Sequence, residues 1–431
     1  MKLFTNCFAG RPGWVIQHLL LPAMITLLTI PALANPPLQL YVALTPTGGT
    51  LTPPAGIYSG PVTIDRQMTI DGKGKVTIDG DGEGTVVTIN ADGVQFRGIK
   101  IINSGDSHDR IDAALLITAN KTTVEENTIE NSLFGIHLRK ADNNVIRHNR
   151  VSSKDYDSSM RGEGLRLWYS FDNEINGNTF KKVRDIVVAN SSDNRFLNNH
   201  ISNSRIGMEF IFSPDNEISG NTIENNDTGI TVLYSGYLQI DHNQINHMRI
   251  LTGSGLAFKE SSQVVIEDNR IAHCAVGLRA NAPIHPENIL YARRNTLLFN
   301  DIAMFFYGEK GGHVIHNNAF LNNFVDVLGS ASMTVRDNDW RGNYWDKYAG
   351  YDFNHDGVGD QPYEIYLYSD RIWVDRPITR FFRGSPALSL VDFVERLAPF
   401  SAPELVLRDP EPRMQKPAES RFSSNPDGSP D

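Results

Sequence analysis

Two cysteines in 431 residues, Cys7 and Cys274, are too few for a disulfide-stapled scaffold, and Cys7 falls in a segment that export would remove. An excess of basic charge is also missing. The chain carries 40 Lys and Arg against 50 Asp and Glu, a formal net charge of −10, so nucleic acid is not an expected partner. No apolar run after residue 34 reaches the roughly 20 residues needed to span a bilayer, which predicts no transmembrane segment of the chain's own once a leader is cleaved. No window between residues 103 and 340 keeps a helical period, which argues against a helical solenoid.

What the first 34 residues do contain is a leader pattern. Lys2 and Arg11 precede an apolar run from Leu19 to Ile30, and Ala32-Leu33-Ala34 stands before Asn35. This small-x-small arrangement predicts a signal peptide over 1–34, cleaved after Ala34, and a periplasmic protein.

The body of the chain is repetitive. An Asn followed two places later by an apolar residue recurs at Asn127, Asn149, Asn178, Asn199, Asn221, Asn243, Asn269, Asn295, Asn318 and, most weakly, Asn338. A second Asn column lies five places before the first at Asn144, Asn173, Asn194 and Asn216. Intervals that vary at turns while the core stays fixed are those of a β-solenoid. The reading is an all-β chain, a single-stranded right-handed parallel β-helix with two short strands per coil, in which the asparagines form ladders. In the segment from Asn221 to Ile230, Gly229 is expected to supply a positive-φ bend.

Short β-runs with Asp-Gly turns, at Asp71-Gly72, Asp79-Gly80, Asp81-Gly82 and Asp92-Gly93, predict N-terminal coils over 38–102. The Asn-marked repeats occupy 103–340. Residues 341–413 read as an aromatic-rich C-terminal cap with an apolar segment from Leu388 to Phe400, and residues 414–431 as a disordered tail.

Two constellations could hold metal. Aligning the repeat puts His247 and Met248 in the same columns as His273 and Cys274 one coil on, and two imidazoles with a thioether and a thiol would suit copper as Cu(I). The alternative is that all four fill turn and core positions. Asp352, Asn354, Asp356 and Asp360 have the oxygen-ligand spacing of a calcium loop with Gly357 at the tight turn, but Tyr363 occupies the place of the final bidentate acid. A purely structural turn is the alternative there.

PAGIYSGPVTI from Pro54 to Ile64, GEGLRLWYS from Gly162 to Ser170, Arg184-Asp185, and GNYWDKYAGYDFNHDGVGDQPYEI from Gly342 to Ile365 together resemble the NosD-type maturation proteins of nitrous-oxide reductase. The resemblance covers nearly the whole chain after residue 34. It implies a periplasmic accessory protein, not an enzyme, that works with the membrane subunit of an ABC-type transporter and a copper chaperone in assembling the copper centre of its client, nitrous-oxide reductase. No catalytic residue and no organic cofactor site is assigned. The alternative, drawn from fold analogy, is a polysaccharide lyase, hydrolase or epimerase acting on an acidic polysaccharide. Its only dense set of suitable groups is Asp106, His108, Asp109, Arg110 and Asp112.

Overall fold

Each coil turns through three short strands, one more than the Asn columns predict. In the coil that begins at Glu217 these are Glu217–Ser219, Thr222–Glu224 and Thr228–Leu233, and each pairs in parallel with its counterpart in the next coil. Three faces result. The first two merge into one 24-stranded sheet, because Thr69–Asp79 and Gln95–Ile102 near the N-terminal end run through both. The third is a separate 12-stranded sheet. The fold is a right-handed parallel β-helix of about 13 turns.

The computed structural model describes residues 35–367 and 404–417, together with Ser385, Pro386, Leu390, Phe393 and Val394. The expected signal peptide, most of the segment from Leu388 to Phe400 and residues 418–431 of the expected tail lie outside the described residues.

The main Asn ladder forms as expected through nine of its ten members. At every step both the backbone N–H and Nδ2 donate to Oδ1 of the Asn one coil on, from Asn127 with Asn149 at 3.0 Å to Asn295 with Asn318 at 3.0 Å. The tenth member is different. Asn318 donates to Asn343, while Asn338 accepts from the backbone N–H groups of Gly312 and His313 and so belongs with the second column. Its following residue, Trp340, pairs with Ile315 on the first face. The interval from Asn318 fits either column, and the buried partner decides.

Gly229 also departs from expectation. Its φ is not positive; Asn225 takes the left-handed turn at φ 55°. Gly229 is required because an added Cβ would lie 2.3 Å from the carbonyl oxygen of Gly255 in the next coil. Asp71-Gly72 likewise bends within one strand, Thr69–Asp79, with Lys73 and Gly74 carrying the positive φ.

Unpaired strand edges at solenoid ends need covers. At the start, residues Leu38–Leu44 form a helix, where coil structure is expected, because Leu38 and Val42 recur at i and i+4 and are buried. Arg66 closes it by donating to the carbonyls of Val42, Ala43 and Thr45. At the other end, the antiparallel pair Tyr363–Leu367 and Glu404–Asp409 covers an aromatic cluster in which Trp345 stacks on Phe320 at 4.1 Å and on Tyr363 at 4.7 Å.

Candidate functional site

His247 and His273 sit at corner positions with φ of 64° and 55°, between the second and third faces. Their imidazoles point outward and stack, centroids 4.9 Å apart and planes 11° apart, and Phe299 extends the stack at 5.3 Å. Met248 and Cys274, one residue on, turn inward and are fully buried. The corner thus separates nitrogen from sulfur donors. Imidazole lone pairs lie in the ring plane, so two nearly parallel rings aim theirs side by side. Burial pushes the Cys274 thiol up to about 12, and its Sγ lies 3.3 Å from the Ala272 carbonyl, so it is a protonated core group where copper would require thiolate. The four side chains do not converge, and this donor set does not fit a copper ion. Among the described residues, no three His, Cys, Asp or Glu side chains gather around one point suited to a metal ion.

The sulfur residues occupy ladder positions. Asn226 accepts from the Ser204 N–H in the same column, and Asn300 accepts from the Cys274 N–H, so Met248 and Cys274 replace two asparagines with core-filling side chains. A serine ladder, Ser170, Ser191, Ser213 and Ser235, lines the opposite corner with N–H to Oγ bonds of 2.9 to 3.1 Å. Its sequence signal, Ser at the same interval as the asparagines, is legible only once the third face is known.

At the C-terminal loop, Asp352 accepts from the N–H groups of Asp356 and Gly357, and Asp356 from that of Val358. Asn354 accepts from the Asp356 N–H and Asp360 from that of Phe353. Gly357 supplies a φ of 83°. All four expected calcium-loop side chains therefore bond back to the loop's own backbone.

The acidic set near residue 106 is structural in its contacts. Lys154 Nζ lies 2.5 Å from Asp106, Tyr156 donates to the same oxygen, and Arg110 pairs with the buried Asp112, which also accepts the Ser107 N–H. These bonds tie the loop before the strand Ala113–Ile117 to the loop before Leu165–Trp168.

One polar cluster has no counterpart among the expected sites. On the third face, Glu163 pairs with Arg184 and lies 3.9 Å from Arg166. Arg184 and Arg205 both pair with Asp185, Arg205 through two nitrogens. Glu163 and Asp185 are almost fully buried, with 4% and 1% of their side chains exposed. Glu163, Arg166, Arg184 and Asp185 fall within the motifs from which the resemblance arises, and their convergence appears only in three dimensions, because these residue types do not recur from coil to coil.

Residues 73–160 and 152–350 match the family described as "Periplasmic copper-binding protein (NosD)". A protein of Pseudomonas aeruginosa, "Probable ABC transporter binding protein NosD", is 28% identical over 84% of this chain and 88% of its own length. A protein of the same name from Stutzerimonas stutzeri is 26% identical over 85% and 87%. Among solved structures, the PfbA surface adhesin of Streptococcus pneumoniae superposes with a TM-score of 0.51 at 14% identity over 66% of this chain and 86% of that one, a likeness of fold alone.

Proposed function

Because the chain belongs to the NosD family of periplasmic copper-binding proteins, we propose that it is a non-enzymatic accessory protein that docks an ABC-type transporter and a copper chaperone while the copper centre of nitrous-oxide reductase is assembled. The observation that carries this reading is the relatives' match over more than four-fifths of the chain, under a name that specifies transporter binding. The donor geometry favours a docking role over copper carriage, since the imidazoles and sulfurs that could have held Cu(I) face opposite ways. Metal chemistry then resides in the partners, and the stiff solenoid sets their spacing.

The test is genetic and biochemical. Nitrous-oxide reductase purified from a strain lacking this protein should be deficient in copper and in the visible absorption of its copper–sulfur centre, and the chain supplied in trans should restore both. The exported protein should also co-purify with the transporter's membrane subunit. A fully loaded reductase in the deletion strain would remove the maturation role.

A further inference from the structure

The charged cluster on the third face is built in two tiers. Its carboxylates, Glu163 and Asp185, form a buried floor, whereas the guanidiniums above them keep 29% of Arg166, 25% of Arg184 and 42% of Arg205 exposed. What the surface presents is therefore cationic, although the chain as a whole is acidic. Arg184 and Arg205 are oriented from below by hydrogen bonds, whereas Arg166 lies 3.9 Å from Glu163. Asp185 accepts from Arg184, Arg205 and the Ile206 N–H, and Glu163 holds Arg184. Buried carboxylates that fix guanidinium planes pre-pay the ordering of the donors, which favours a planar two-oxygen acceptor.

Three further observations point to a ligand. His137 stands in direct register with Arg166 on the neighbouring strand. It is 95% buried (5% exposed), and its Nε2 has no hydrogen-bond partner among the described residues, nor has Nε of Arg166. Unpaired buried polar atoms are rare in folded proteins and call for a partner. Arg139, in register with Trp168, and Lys140, 6.0 Å from the Trp168 ring, add positive charge beside an accessible aromatic face. Glu209 stands one strand further along the same face, in register with Val187; burial, and after it Asp185, push its carboxyl up, while Arg205 and Arg184 oppose that shift.

We propose that this arginine-topped patch is a docking site for an acidic segment of a protein partner, with Asp or Glu carboxylates of that segment received by Arg166 and Arg205. A short acidic segment fits better than a long polyanion, which would extend beyond the patch onto a surface of net negative charge. The kind of partner rests on the docking role proposed above. Peptide binding is measured without transporter or reductase, so its failure is distinct from failure of that role.

The probe is a fluorescein-labelled hexaglutamate peptide, titrated by anisotropy with the exported chain at low salt and at about 0.15 M. Binding should weaken with salt. It should fall by about tenfold or more in Arg166→Gln/Arg205→Gln and stay unchanged in Arg270→Gln, on another face. Arg205→Lys, which keeps the charge but loses the fork at an exposed position, should fold normally and bind several-fold more weakly, so the inference does not depend on the double variant folding. Absence of hexaglutamate binding, or equal binding by wild type and folded Arg205→Lys, would overturn it. So would tighter binding of tetragalacturonate than of the peptide, which would make the patch a glycan site.

Discussion

Asn343 donates from both its backbone N–H and its Nδ2 to one oxygen of Asp409, at 3.0 Å each, across 66 residues of chain. Trp345 Nε1 donates to the same oxygen at 3.1 Å. Asp409 thus takes the place that the next coil's Asn would occupy, and it joins the C-terminal strand pair to the main ladder. Replacing Asp409 with Ala leaves three buried donors without an acceptor, each worth roughly 1 to 3 kcal/mol. We expect a clear drop in the urea midpoint followed by tryptophan fluorescence, with Trp345 exposed early. An unchanged midpoint would show that the cap holds without this carboxylate.

The ladder columns differ in how many bonds each member makes. Asn221 accepts from the N–H and Nδ2 of Asn199 and donates to Asn243 and to the Phe196 carbonyl. Asn226 accepts one N–H, from Ser204, and donates to Ile201 at 3.2 Å. Asn221→Leu should therefore destabilise more than Asn226→Leu, by about 1 to 3 kcal/mol. Urea melts of the two variants decide it, and coincident midpoints would contradict the ladder's energetic role.

The solenoid was legible in sequence because an amide ladder demands Asn at every coil, and Asn127 to Asn318 supply it. The third face was hidden. Its strands are introduced by glycines such as Gly229, needed for close approach, and its corner is held by serines such as Ser191, so no single residue type marks it. The His and sulfur columns were correctly aligned along the axis, but a one-residue step at a left-handed corner sends His273 outward and Cys274 inward, a separation that spacing alone does not give. The arginine-topped cluster left only isolated traces, Glu163 three places before Arg166 and the pair Arg184-Asp185, because its members do not repeat.

His313 substitutes for an Asn in the second column and is buried. Its Nδ1 accepts the Leu290 N–H at 3.2 Å, and its Nε2 lies 2.9 Å from the Asn281 carbonyl, which can only accept. The ring is therefore neutral, and burial pushes it down to about 4. His137 is likewise pushed down to about 4, by burial first and then by Arg166 and Arg139. Both folded values lie below the ordinary value of 6.5, so the unfolded chain binds more protons as pH falls. Their contribution is complete above about pH 6.5 and is lost between there and about pH 4, at up to about 1.4 kcal/mol per pH unit for each ring. His313→Asn should flatten this part of the stability–pH curve measured by urea melts; an unchanged slope would place the acid sensitivity elsewhere.

The loop from Asp352 to Asp360 tests whether calcium-type spacing is used for calcium. Binding to the folded state alone raises stability by linkage, so the melting temperature should be higher with millimolar Ca²⁺ than with chelator, and Asp356→Ala should erase the difference. If wild type melts identically in both, the carboxylates serve only the backbone N–H groups they already accept.

Cys274 gives the most direct check on whether copper touches this chain through the sulfur donors that its sequence suggests. The thiol is fully buried and its pKa is pushed up to about 12, so both accessibility and thiolate fraction oppose reaction. A chromogenic disulfide reagent at neutral pH should leave Cys274 of the folded protein unlabelled and, in a form lacking residues 1–34, react with one thiol per chain once that form is unfolded in denaturant. In an anaerobic competition titration against a Cu(I) chelator, Cys274→Ser and His273→Ala should match wild type, because neither residue shares an ion with the other. Rapid labelling of the folded chain, or a loss of Cu(I) affinity in Cys274→Ser without loss of stability, would mean that the corner opens in solution and brings sulfur and imidazole together.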